Sequence, residues 1–188
     1  MDEKYNQEDI DNLSKEDKKN NWEIAFGLQK VDSLSPSDYM VLLANQHVEG
    51  TITLETVEKQ LYQYYESLNE NKVNSRTEEA DKVALRINVL LSQKAFSLNI
   101  GSLKSIHKEL FDGLLDTAGE FRQTNIFKKE PVLGGNTVLY ANYYQIEDNL
   151  NYDIEQEKEQ SYSNLSKEQL LNRICHFTSN LWQTHPFM

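Results

Sequence analysis

Apolar residues in this chain recur every three or four positions, segment after segment, and residues that cap or break helices cut the segments apart. That spacing commits most of the backbone to α-helix, because it puts one apolar stripe on each segment. Ser35-Pro36-Ser37-Asp38 reads as a start, with Ser35 as N-cap and Pro36 in the first helical position. Tyr39, Leu42, Leu43 and Gln46 follow, and Gly50 ends the run. Thr53 caps a segment carrying Leu54, Val57, Leu61, Tyr64, Tyr65 and Leu68. A polar linker from Asn69 leads to Ser75, which with Glu78 reads as a capping box. Val83, Ile87, Leu90 and Leu91 share the next face, and Asn99-Ile100-Gly101-Ser102 breaks it. Leu103, Ile106, Leu110 and Leu114 make another helix, ended near Asp116 to Gly119. Tyr143 to about Gln160 is helical again. Ser166 with Gln169 forms a second capping box, and Leu165 is placed to staple onto Leu170. Leu170, Ile174, Phe177 and Leu181 are the expected buried face of the last helix.

One stretch breaks the rule. Phe121 to Tyr140 lacks the helical period. Val132-Leu133 and Thr137-Val138-Leu139-Tyr140 flank Gly134-Gly135-Asn136, which is hairpin chemistry. The expected fold class is therefore all-α with one small β-hairpin. The expected organisation is a disordered or loosely helical polar arm over 1–21, an N-terminal helical region over 22–74 and a main helical domain over 75–188.

The balance of charge excludes some partners. A net charge of -11 and a pI near 4.8 leave no basic stripe for nucleic acid or an anionic membrane. A nucleotide site is still compatible, because backbone amides at a helix start hold phosphates locally. The single cysteine, Cys175, gives no disulfide framework within one chain, and it reads as a small core residue. The first 21 residues have no apolar core of a secretory signal, and no run approaches membrane-spanning length. The expected location is the cytoplasm.

Three segments, in order, resemble one family. Glu78-Glu79-Ala80-Asp81-Lys82-Val83-Ala84-Leu85-Arg86-Ile87, continuing through Ser105-Ile106-His107-Lys108-Glu109-Leu110-Phe111, resembles the front helices of Fic proteins. Gly119-Glu120-Phe121-Arg122-Gln123-Thr124-Asn125-Ile126 is similar to their G-x-Y/F-R-x-x-N-I stretch. The closing His185-Pro186-Phe187 resembles the opening of the signature H-P-F-x-D/E-G-N-x-R. The resemblance covers roughly Ser75 to Met188. Upstream, Asn45, Glu49 and Gly50 resemble the inhibitory helix motif S/T-x-x-x-E-G/N, with Asn45 standing where the family has serine or threonine. The layout resembles an antitoxin-type helix fused ahead of its own Fic-type helical domain.

The resemblance implies a protein adenylyltransferase that moves AMP from ATP, with Mg²⁺, onto a Ser, Thr or Tyr hydroxyl of a target protein. His185 would be the general base, and imidazole suits the task because its ordinary pKa lies near the working pH. The hairpin, with Val132, Leu133, Gly134, Gly135, Asn136, Thr137 and Val138, would be the flap that registers the target by strand-like pairing. Glu49 would pair with the motif arginine and so block productive placement of ATP. The metal carboxylate, the anion-binding turn and that arginine fall after Met188, so the 188-residue chain is expected to be inactive. Loss of the following helix would uncover apolar faces that favour homo-oligomers.

Simpler readings stand beside these. Glu49-Gly50 also reads as an exposed acid before a capping glycine, and His47 as a helix-surface residue. His107 and His176 read as structural, and no pair of histidines has metal-ligand spacing, so no metal residues are assigned. Arg122 either shapes the site or pairs with a local acid. Tyr62, Tyr64 and Tyr65 read as a face packed on a core. The competing functions are a catalytically dead interaction or antitoxin-like module, and a relative that transfers another phosphate-containing group.

Overall fold

The structure, a computed structural model, describes residues 13–30, 33–68, 75–93, 96–127, 134 and 138–188. Among these residues there are seven α-helices and no strand: α1 Lys15–Gln29, α2 Asp38–Val48, α3 Leu54–Ser67, α4 Ser75–Ser92, α5 Ile100–Phe111, α6 Ile146–Lys158 and α7 Lys167–Thr184. A 3₁₀ turn, Tyr143–Gln145, leads into α6. The expected hairpin falls mostly on residues outside those described. Its described members do not form a strand: Gly134 is a turn, and 138–140 are irregular. No described helix is long and apolar enough to cross a membrane.

The chain divides into two compact units, 1–95 and 96–188. In the first, α1 packs on α2 and α4, and α3 packs on α2 and α4, so the four helices close on a common core. Trp22, Met40, Leu43, Val57, Leu61 and Leu85 lie inside it. Ordered helix begins at Lys15, earlier than the polar composition suggests. Ser14 caps it by accepting the Asp17 N–H at 3.1 Å, and acids in the first turn complement the helix dipole. Trp22 then brings the helix down onto the core.

Helix α2 starts later than its sequence implies. Ser37, not Ser35, is the N-cap, and Pro36 lies outside the helix. The reason is tertiary: the Asp81 carboxylate accepts from the Ser37 N–H at 2.8 Å and from the Ser37 hydroxyl. Tyr65 donates to the same carboxylate at 2.7 Å. Burial pushes the Asp81 carboxyl above the ordinary carboxylate range even though these donors pull it down, and burial pushes the Tyr65 phenol up as well. Tyr62 and Tyr64 lean on the same core, as their spacing suggested. Leu42 and Leu91, expected on buried faces, are exposed. Ser75 is the first helical residue of α4, and the carboxylate of Glu78 pairs with Lys82 one turn on.

The second unit has a thinner interior. Among the described residues its buried cluster is Ile146, Leu150 and Ile154 of α6, with Leu103, Phe121, Phe177 and Leu181 packed against them. The capping box of α7 forms as its sequence predicts: Ser166 Oγ accepts the Gln169 N–H at 3.3 Å, and Gln169 Oε1 accepts the Ser166 N–H at 2.9 Å. The buried face of α7 is narrower than its sequence predicts. Phe177 and Leu181 turn inward, whereas Ile174, Leu171 and Trp182 are exposed. Cys175 is exposed too, so it is not a core residue.

Candidate functional site

The segment His185-Pro186-Phe187 begins where α7 ends. Its first residue takes the left-handed conformation, with φ 43° and ψ 65°. A residue with a Cβ adopts that region rarely, so the surroundings must hold it there. Thr184 and Pro186 on either side are buried, and His185 is partly buried.

Arg122 does much of the holding. It is 3% exposed. Its Nε donates to the His185 carbonyl at 2.8 Å, one NH2 hydrogen to the Thr184 carbonyl at 3.2 Å and the other to the Ala141 carbonyl, and NH1 to the Thr124 carbonyl at 2.7 Å. The Arg122 backbone N–H reaches the Pro186 carbonyl at 2.9 Å, and the Ala141 N–H reaches the Gln183 carbonyl at 3.1 Å. The last carbonyls of a helix lack intrahelical donors, and a cation there also complements the dipole. Burial pulls the guanidinium pKa down. No described carboxylate pairs with it; instead Arg122 clasps the main chain around the H-P-F segment.

The aromatic side of the segment is built from the same G-x-F-R stretch. Phe187 stacks on His107 with ring centroids 4.0 Å apart and planes 9° off parallel, and it leans on Phe121 at 5.4 Å. His107 Nδ1 accepts the Gly119 N–H at 2.9 Å, so a neutral His107 carries its proton on Nε2. Burial lowers the His107 pKa, which favours that neutral form. Gly119 has φ 82°, and a Cβ there would lie 2.8 Å from Lys108 Cβ and 3.1 Å from the Lys104 carbonyl. Only glycine fits. Asn125 accepts the Tyr143 N–H at 3.0 Å and donates to Asn142 at 3.1 Å, which ties the same stretch to the entry of α6. Tyr140 places its ring 5.1 Å from that of His185. An apolar cleft of about 290 Å³ opens beside Leu181, Trp182, His185 and Phe187.

The other expected site residues lie elsewhere. Asn45, Glu49 and Gly50 belong to the first unit, at the end of α2. Glu49 is the C-cap, with its N–H on the Asn45 carbonyl at 2.9 Å, and Gly50 follows with φ 72°. The Glu49 side chain is exposed and paired with Lys15 at 2.6 Å. His47 is not a surface residue. It is fully buried, and its Nδ1 accepts the Trp22 indole N–H at 3.1 Å. Of the hairpin residues, Val132, Leu133, Gly135, Asn136 and Thr137 lie outside the described residues. Among the described residues no cluster of three or more His, Cys, Asp or Glu is arranged to hold a metal ion.

Sequence reasoning missed the stack of His107 on Phe187. The signal available was a histidine twelve residues before the glycine of G-x-F-R, one helix upstream.

Residues 97–188 match the model of the Fic/DOC family. The match falls in the second unit and covers the G-x-F-R stretch, α6, α7 and the H-P-F segment. No curated protein and no solved structure matches the chain.

Proposed function

Since residues 97–188 match the model of the Fic/DOC family, we propose that the second unit is the group-transfer domain of a protein adenylyltransferase. In this reading the attacking oxygen of a Ser, Thr or Tyr hydroxyl bonds to the α-phosphorus of ATP. The hydroxyl proton passes to the His185 imidazole. The bond from the α-phosphorus to the bridging oxygen breaks, and pyrophosphate leaves with the electron pair. General-base help of this kind is worth about 10²–10⁴-fold in rate.

The observation that carries the reading is the construction around His185. A left-handed histidine after a buried helix end, clasped on its main chain and flanked by Tyr140 and Phe187, is far more built than a fraying terminus. Mg²⁺ would be held by the nucleotide and by the acid of the motif. The described residues offer no metal cluster, so no step is assigned to it. In the same proposal Val132 to Val138 are the flap, and Glu49, with Asn45 and Gly50, supplies the inhibitory helix end. Exposure of the Glu49 carboxylate is compatible with an acid that must reach a cationic partner.

The test is transfer of label from α-³²P-ATP to candidate target proteins, using a chain in which H-P-F continues through the acid, Gly-Asn and arginine of the motif. Label that disappears in His185→Ala supports the reading, and label unaffected by that change overturns it. A Glu49→Gly change should raise transfer; no change would overturn the inhibitory role. Equal transfer from γ-labelled ATP would favour a relative that moves another phosphate group. A second reading, a helical interaction module, draws on the exposed Leu171, Ile174 and Trp182 of α7. It predicts partner binding with no transfer at all.

A further inference from the structure

We propose that Arg122 is a positioning residue for His185: through main-chain hydrogen bonds it sets the left-handed backbone that presents the imidazole. The significance for catalysis rests on His185 being the base, but the coupling itself can be measured without it.

Arg122 grips the main chain on both sides of the histidine. Its Nε holds the carbonyl of His185 itself, its NH2 holds that of Thr184, and its own backbone N–H holds that of Pro186. The peptide groups before and after His185 are therefore both fixed from one residue, 63 positions away in sequence. The opposite edge of the guanidinium is fixed in turn by the Thr124 and Ala141 carbonyls. A planar fork with five donors can span these four acceptors, and a single ammonium cannot. A buried cation that held only a helix end would need only the Thr184 and Gln183 carbonyls. The additional bonds to His185 and Pro186 lie at the residue with φ 43°. Ring contact with Tyr140 then limits where the imidazole can turn.

The test is NMR of the full 188-residue chain, following His185 Cα and Cβ shifts and its ring titration, with exposed His176 as the internal reference. In Arg122→Gln the left-handed signature of His185 is expected to disappear and its titration midpoint to move, while His176 keeps its own. A folded Arg122→Gln chain with unchanged His185 signals overturns the proposal. Should that variant unfold, melting of a second set decides. With Arg122 present, His185→Gly is expected to melt roughly 2–4 °C above His185→Ala, since glycine accepts the left-handed conformation. In an Arg122→Lys background that difference is expected to vanish. Its persistence there overturns the proposal. Neither measurement needs transfer activity, so a chain that transfers nothing but shows the coupling separates failure of the enzymatic reading from failure of this one.

Discussion

The two units differ in what holds them. The first closes four helices over a continuous apolar core, and its buried polar groups, Asp81 with Tyr65 and Ser37 and His47 with Trp22, sit within it. Among the described residues of the second, the buried cluster is three residues of α6, and the unit is tied together where α7 ends by the donors of one arginine. Apolar burial is non-directional and tolerates small shifts, whereas hydrogen bonds to main-chain carbonyls fix position to a fraction of an ångström. The first arrangement suits a stable scaffold. The second suits a segment whose orientation matters more than its stability, and the candidate base is found there.

The largest effect that would sharpen this contrast is expected from Leu61→Ala. The side chain is fully buried among α2, α3 and α4, and its truncation should cost about 2–5 kcal/mol. Urea unfolding followed by Trp22 fluorescence in a Trp182→Phe background reads it. A loss below about 1 kcal/mol would mean the first unit is not held by its core. Next comes Gly119→Ala, which forces a Cβ against Lys108 and the Lys104 carbonyl at positive φ. A cost of about 2–3 kcal/mol is expected, together with altered His107 and Phe187 ring signals. An undisturbed His107 would break the link between this glycine and the H-P-F segment.

A smaller effect should follow pH. Burial raises the folded pKa of Asp81 above its unfolded value, so the folded state holds the proton more tightly. Its contribution to stability is full below the ordinary carboxylate value and is lost as pH rises through the raised folded value. Urea midpoints taken upward from pH 4 should therefore fall more steeply in the native chain than in Asp81→Asn. Parallel slopes would show that the three donors offset burial, and a rise relative to Asp81→Asn that they outweigh it. The smallest effect is expected from Lys15→Ala. Its ion pair with Glu49 is exposed on both sides and should be worth less than about 0.5 kcal/mol. A larger loss would make α1 a brace for the Glu49 helix end.

Much of the helix inventory was legible in the sequence, and so was the resemblance of residues 97–188 to the Fic/DOC family. Thr53 caps α3, Ser166 and Gln169 box α7, and Gly50 closes α2. The misreadings share a cause. Ser35 looked like the better cap, but Asp81 selects Ser37. His47 looked like a surface residue until Trp22 covered it. Ile174 fits the periodic stripe of α7, yet what packs on α7 is narrower than the stripe. Cys175 follows the same pattern.

Caps, capping boxes and glycine stops act within about four residues, so the sequence by itself determined where these helices run and that His185 follows one of them. Partners far apart along the chain were decided by tertiary structure alone. Trp22 meets His47 across 25 residues, and Arg122 meets His185 across 63. Whether a histidine is a surface residue or a buried acceptor, and whether an arginine pairs with an acid or clasps a backbone, depends on which groups the fold desolvates together.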